Sequence, residues 1–261
     1  MRTGRALAVL SCAAVLATGC GSSSRATAGG DTLRAGVSGE VLVFAASSLK
    51  ESFGSLAKKF EAGHPGVKVT LNFGASSALA NTITQGAPAD VFAAASTSTM
   101  KTVTTAGEAS GAPHVFVRNQ LQIAVPKGNP GHVTGLADFG NARLKIALCA
   151  VQVPCGAATT AAFAAAGVKP QPDTLEADAK ATVAKVVLGE VDAALVYRTD
   201  VRAAGDAVQG IDFPEAAKAV NDYPIVVLKG ARNAKAAKSF VDFVQSADGR
   251  SVLRAAGFAL P

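Results

Sequence analysis

Val41-Leu42-Val43-Phe44-Ala45-Ala46 is an unbroken apolar run, rich in β-formers and too short for a helix, and it stops at Ser47-Ser48. Leu49, Phe53, Leu56 and Phe60 follow at helical spacing. Ser48-Leu49-Lys50-Glu51 has the pattern of a capping box, which predicts a helix starting at Ser48. A strand that runs straight into a helix gathers hydroxyls and open N–H groups at the strand's carboxyl end. The positive end of the helix dipole points the same way, so such a junction is a ready anion site. Capping alone explains one junction of this kind, but here it recurs. Val67, Val69, Leu71 and Phe73 alternate with Lys68, Thr70 and Asn72, and Gly74-Ala75-Ser76-Ser77 then leads into a short helix carrying Leu79 and Ile83.

The alternation continues along the chain. Strands are expected at Ala89–Ala95, Leu121–Val125, Leu144–Cys149, Ala193–Tyr197 and Ile225–Leu228. Between them, Ser96 and Asp178 read as helix N-caps, Val151 to Gly156 turns the chain into an Ala-rich helix, and Thr199-Asp200 opens another. The last two helices carry Phe240, Phe243 and Val244, then Val252 and Leu253. Strands alternating with helices indicate an α/β fold of mostly parallel sheet flanked by helices, with ligands bound beyond the strands' carboxyl ends.

The first residues bear on compartment. Arg2 and Arg5 precede an apolar run from Ala6 to Ala17, the make-up of a signal peptide. It closes on Leu16-Ala17-Thr18-Gly19-Cys20, which resembles a bacterial lipobox and implies cleavage after residue 19 and a lipid on Cys20. Residues 20–38 then read as a Gly/Ser/Thr/Ala-rich tether, and the protein is expected outside the cytoplasm, anchored to the cell membrane. Loss of Arg2 and Arg5 lowers the formal charge from +6 to +4, and the remaining basic residues are scattered, which argues against a nucleic-acid partner. Cys149 and Cys155 are the cysteines left to pair, and an oxidising compartment predicts a disulfide between them.

Six motifs in order make a more specific pattern. They are Val43-Phe44-Ala45-Ala46-Ser47-Ser48-Leu49, Phe73-Gly74-Ala75-Ser76-Ser77-Ala78-Leu79, Gly86-Ala87-Pro88-Ala89-Asp90-Val91-Phe92, Val153-Pro154-Cys155-Gly156, Asp178-Ala179-Lys180 and Ala194-Leu195-Val196-Tyr197. Together they resemble the family of periplasmic molybdate-binding proteins. That resemblance implies a two-lobed clamshell binding protein, monomeric and without a cofactor, that passes molybdate or tungstate to the permease subunits of an ATP-driven (ABC) importer. It implies lobe 1 from residues 39–121 and 225–261 and lobe 2 from residues 122–224, with crossings near Asn119–Leu121 and Tyr223–Ile225. It also implies five contacts: the hydroxyls of Ser48 and Ser76, the backbone N–H groups of Cys155 and Ala179, and the hydroxyl of Tyr197. The chain departs from the family's usual alanine at Cys155, aromatic at Ala158 and valine at Ala179, which bears on cavity size.

The chemistry of these positions agrees with the resemblance. A fully deprotonated tetrahedral dianion offers only acceptors, so its site needs donors, and neutral oriented donors spare the desolvation of a cationic partner. Sulfate satisfies the same argument and stays open as a ligand. Hydrogen phosphate wants an acceptor, for which Asp178 is the obvious candidate. Ser47-Ser48-Leu49-Lys50 also contains S-x-x-K, the nucleophile motif of some serine acyl-enzymes, but no S-D-N, K-T-G or G-x-S-x-G accompanies it, and the protein is read as a non-enzyme. His64, His114 and His132 have no ligand spacing, so no bare metal ion is expected.

Overall fold

β1 (Gly39–Ala46) is buried on both faces, which is why it reads as a continuous apolar run. Val41, Val43 and Ala45 meet Phe53, Phe60 and Phe240 on one side, and Phe44 meets Leu79, Ile83 and Met100 on the other. The computed structural model describes residues 37–261, so the signal-peptide and lipid-attachment readings, including Cys20, lie outside the described residues. From β1 the chain continues through α1 (Lys50–Gly63), β2 (Val67–Gly74), α2 (Ser76–Thr84), β3 (Val91–Ala93), α3 (Thr97–Thr105), β4 (His114–Asn119) and β5 (Leu121–Pro126). Then come β6 (Ile146–Cys149), α4 (Pro154–Ala166), β7 (Thr174–Glu176), α5 (Ala179–Val187), β8 (Ala193–Tyr197) and α6 (Arg198–Ala204). β9 (Val208–Ile211), β10 (Asn221–Val227), α7 (Ala234–Gln245) and α8 (Ala247–Ala255) complete it.

The strands form two five-stranded sheets, ordered β2-β1-β3-β10-β4 and β7-β6-β8-β5-β9. The α/β class stands, but each sheet is mixed rather than mostly parallel. In the first, β1 runs parallel to β2 and β3, while β10 runs antiparallel to β3 and β4. In the second, β6 is parallel to β7 and β8, while β5 is antiparallel to β8 and β9. The reversed strands, β5 and β10, are those by which the chain enters each sheet from the other. A strand entering at the cleft runs away from it, whereas the others bring their carboxyl ends towards it.

β4, β7, β9 and the first half of β10 are strands that the sequence pattern does not reveal. The register of β10 shifts between Tyr223 and Pro224, and a proline breaks both the ladder and the apolar pattern. β10 therefore starts at Asn221, ahead of the expected strand start at Ile225, and pairs with β4 from there. One buried cluster runs from Val43 and Phe53 through Tyr223 and Tyr197 to Ile146 and Phe163, so the two sheets share a core in which the Tyr197 and Tyr223 rings meet.

Candidate functional site

Where β1, β2 and β8 end and α4 and α5 begin, the chain lines a partly open cavity whose walls stand close together, with about 10 Å³ between them. Ser48, Ser76, Cys155, Ala179 and Tyr197 all line it, so the structure brings the five expected positions together. Ala46, Ser47, Gly74, Ala75, Ala95, Val153, Pro154 and Asp178 complete the wall. No lysine, arginine or histidine is among them.

The serines are not helix caps, contrary to the capping-box reading. Ser47–Leu49 forms a 3₁₀ turn, α1 starts at Lys50, and no side-chain hydrogen bond caps it. The Ser48 hydroxyl lies instead 2.9 Å from the Tyr223 hydroxyl, and Glu51 pairs with Lys180. A buried hydroxyl is drawn to the buried partner that needs it, and Tyr223 supplies one from β10. Ser76 is the first residue of α2, which also lacks a side-chain cap, and its Oγ accepts the Ala95 N–H at 3.0 Å. That bond uses an oxygen lone pair and leaves the Ser76 proton to donate. By contrast Ser96 and Asp178 do cap their helices, accepting from the N–H groups of Thr99 and Ala181.

The second lobe contributes backbone donors. Intrahelical bonding in α4 begins with the Ala157 N–H on the Val153 carbonyl, so the Cys155 N–H belongs to the open first turn. Pro154 at the helix start has no N–H to offer and fixes the backbone for entry. The Cys155 sulfur is bonded to Cys149, with the Cα atoms 5.8 Å apart, which turns the side chain away from any ligand role. Gly156 is required here, because a Cβ at that position would overlap the Ala150 carbonyl. In α5, Asp178 takes the Ala181 and Thr182 N–H groups, leaving that of Ala179 ahead of them.

Tyr197 ends β8, and its hydroxyl is buried with no hydrogen-bond partner among the described residues. Burial, with the Tyr223 phenol as neighbour, holds its pKa well above the usual tyrosine value, so it stays a donor. The two rings meet edge to face, centroids 5.9 Å apart. A buried phenol without a partner, beside two serines whose oxygens are already engaged, suits a ligand made of acceptors. Such a wall can bind and orient an anion. Lys50 of the S-x-x-K motif is exposed to solvent and lies outside this wall.

Local sequence does not announce Tyr223, Asn119, Asn221 or Lys180, although each acts on this wall. Asn119 donates from Nδ2 to Thr199 Oγ1 at 2.9 Å and to the Tyr223 oxygen at 3.3 Å. Asn221 donates to the Ala95 carbonyl at 2.7 Å. Lys180 Nζ lies 2.8 Å from Glu51 and 3.3 Å from the buried Asp200. These partners are far apart in sequence, and only the crossing strands hint at them.

Residues 41–259 match the family model of bacterial extracellular solute-binding proteins. The chain is 40% identical over 242 residues to the molybdate-binding protein ModA of Mycobacterium tuberculosis (strain H37Rv), covering 93% of this chain and 92% of that protein. It is 28% identical over 243 residues to ModA of Escherichia coli K12, covering 85% and 90%. Among solved structures, the periplasmic molybdate-binding protein of Azotobacter vinelandii aligns with a TM-score of 0.75 at 22% identity, over 85% of this chain and 99% of that one. The sulfate-binding protein SubI of M. tuberculosis H37Rv aligns with a TM-score of 0.75 at 17% identity, over 84% and 86%. At those identities the two structures speak to the fold alone.

Proposed function

Because this chain belongs to the family of bacterial extracellular solute-binding proteins, we propose that its cavity captures molybdate, and tungstate equally, for delivery to the permease subunits of an ABC importer. The observation that carries this reading is the donor set. Ser48, Ser76 and Tyr197 present hydroxyls, and Cys155 and Ala179 present helix N-terminal N–H groups, around one cavity with no cationic side chain. Oriented neutral donors stabilise a dianion that has only acceptors, and the 40% identity to a molybdate-binding protein points to this anion among those that fit.

In this reading the first lobe comprises residues 39–121 and the segment returning through β10, and residues between the crossings form the second. Cleavage after residue 19 and lipidation of Cys20 would hold a monomer at the outer face of the cell membrane. The protein binds and releases its ligand and performs no chemistry on it. Calorimetric titration of the delipidated protein with molybdate, tungstate, sulfate and phosphate tests the assignment. Molybdate and tungstate should bind alike and sulfate much more weakly, and sulfate binding as tightly as molybdate would transfer the assignment to sulfate. Ser48→Ala and Ser76→Ala should each lower affinity roughly ten- to a hundred-fold, the worth of one hydrogen bond to a charged group.

A further inference from the structure

We propose that Asp200 takes up a proton when the oxyanion binds, so that affinity rises as pH falls. The inference rests on the oxyanion reading above and adds a regulation of the same site.

Asp200 stands in the first turn of α6, three residues after the cavity-lining Tyr197. It is fully buried, and neither carboxylate oxygen has a hydrogen bond among the described residues. Its ionic partner is Lys180, the neighbour of the cavity-lining Ala179, with Nζ 3.3 Å from Oδ1. Lys180 is shared, because its Nζ is also 2.8 Å from Glu51. One cation thus faces two carboxylates, and with both ionised the cluster carries a net negative charge. Glu51 is half exposed, so water and salt screen its part, whereas the charge of Asp200 has no such screening.

No second cation lies within ion-pair reach of Asp200 among the described residues. The phenols of Tyr197 on β8 and Tyr223 on β10 face it and are neutral. β5 and β9, which also pack on α6, carry no titratable side chain, and Lys185 of α5 pairs with Glu190. In α6 itself and the turn after it, Arg198 pairs with Asp212, while Arg202 and Asp206 are exposed.

The charge of Asp200 reaches the cavity wall. Burial is the main reason both phenols stay above their ordinary pKa, and the Asp200 carboxylate adds to it in each. A dianion held against Tyr197 and Ala179 sits in the same field, and its two full charges oppose the ionised carboxylate. Burial, only partly offset by Lys180, has already pushed the carboxyl up to about 6, so the proton is within reach near neutral pH. The bound protein therefore favours protonated Asp200, while the free protein ionises it above about pH 6. By linkage the anion binds more tightly where the proton is available.

Isothermal titration with molybdate at pH 6.5, in buffers of different ionisation heat that are not oxyanions, counts the protons directly. A rise of about one pKa unit on binding gives about half a proton taken up per anion at that pH. The same rise makes affinity fall about fivefold between pH 5.5 and pH 7.5, a range in which molybdate itself stays a dianion. Asp200→Asn should take up no proton, bind with an affinity that is flat over this range, and bind more tightly than wild type at pH 7.5. A thermal melt shows whether the variant is folded, and the proton count on the wild type stands without it. Molybdate binding with no proton uptake at pH 6.5, or uptake that persists in folded Asp200→Asn, overturns the inference. Failure of the wild type to bind molybdate, tungstate or sulfate at either pH overturns instead the reading on which it rests.

Discussion

Lys180 Nζ lies 2.8 Å from Glu51 Oε2, joining α5, which starts at the cavity-lining Ala179, to α1, which starts just after Ser48. The pair thus ties the two walls of the cavity from outside it, and neither residue lines it. Glu51 is half exposed, so the attraction is screened and is worth at most about 1 kcal/mol. Glu51→Gln should weaken oxyanion binding about two- to fivefold, chiefly through faster release, and the difference from wild type should shrink as salt is raised. Stopped-flow release rates at two ionic strengths check this; a salt-independent deficit would point to packing instead.

The other partner of Lys180 gives a pH dependence. Asp200 is fully buried, and burial outweighs the attraction of Lys180, pushing its carboxyl up to about 6 from an ordinary 3.8. An acid whose folded pKa is raised contributes stability that is complete below about pH 4 and is lost as pH rises through about 6. At neutral pH, where Asp200 is ionised, the folded protein is therefore less stable than at acid pH, by an amount on the order of a few kcal/mol. Asp200→Asn, which mimics the protonated group, should be more stable than wild type at pH 7.5, with a smaller gap at pH 4.5. Urea unfolding of both proteins at the two pH values decides it, and an Asn variant less stable at pH 7.5 would contradict the account.

Tyr197→Phe should separate binding from stability. The Tyr197 hydroxyl has no partner among the described residues, so its removal costs the ligand-free protein no hydrogen bond. The same change removes one donor from the ligand and should weaken molybdate binding by about 1.5–3 kcal/mol. Sulfate, with shorter bonds to oxygen, should lose less, and the molybdate-to-sulfate ratio should narrow. A thermal melt and competition titrations measure the two effects, and a drop in melting temperature without ligand would reveal a structural role.

The Cys149–Cys155 disulfide closes a short loop that carries the chain into α4. On the chain-entropy model such a loop adds about 2 kcal/mol. Its reduction should lower oxyanion affinity as well as stability, because the Cys155 N–H then sits on a looser turn. Cys149→Ala/Cys155→Ala allows the test without reductant. Unchanged affinity in that variant would confine the disulfide to a purely stabilising part.

Much of this was legible in local chemistry. The strand at Val41–Ala46, the helix after Asp178 and the strand at Ala193–Tyr197 follow from apolar run length, a capping carboxylate and β-formers, and the structure has each of them. The strand ending at Asn119 and the early start of β10 were not legible, and in β10 the cause is Pro224 with the polar Asn221 and Asp222, which break the pattern.

Residue identity alone settles which donors stand at the strand ends, because a hydroxyl or a helix N–H is a donor wherever the chain goes. What those donors do with their oxygens depends on the pairing of distant strands. Ser48 looked like a cap from its neighbours, yet its partner Tyr223 lies 175 residues away, and the partner of Ser76 is a backbone N–H 19 residues on. A capping pattern reads contacts three residues apart. A hydroxyl buried between two sheets answers to whichever group the sheets bring against it, and that is fixed by how strands from distant parts of the chain pair.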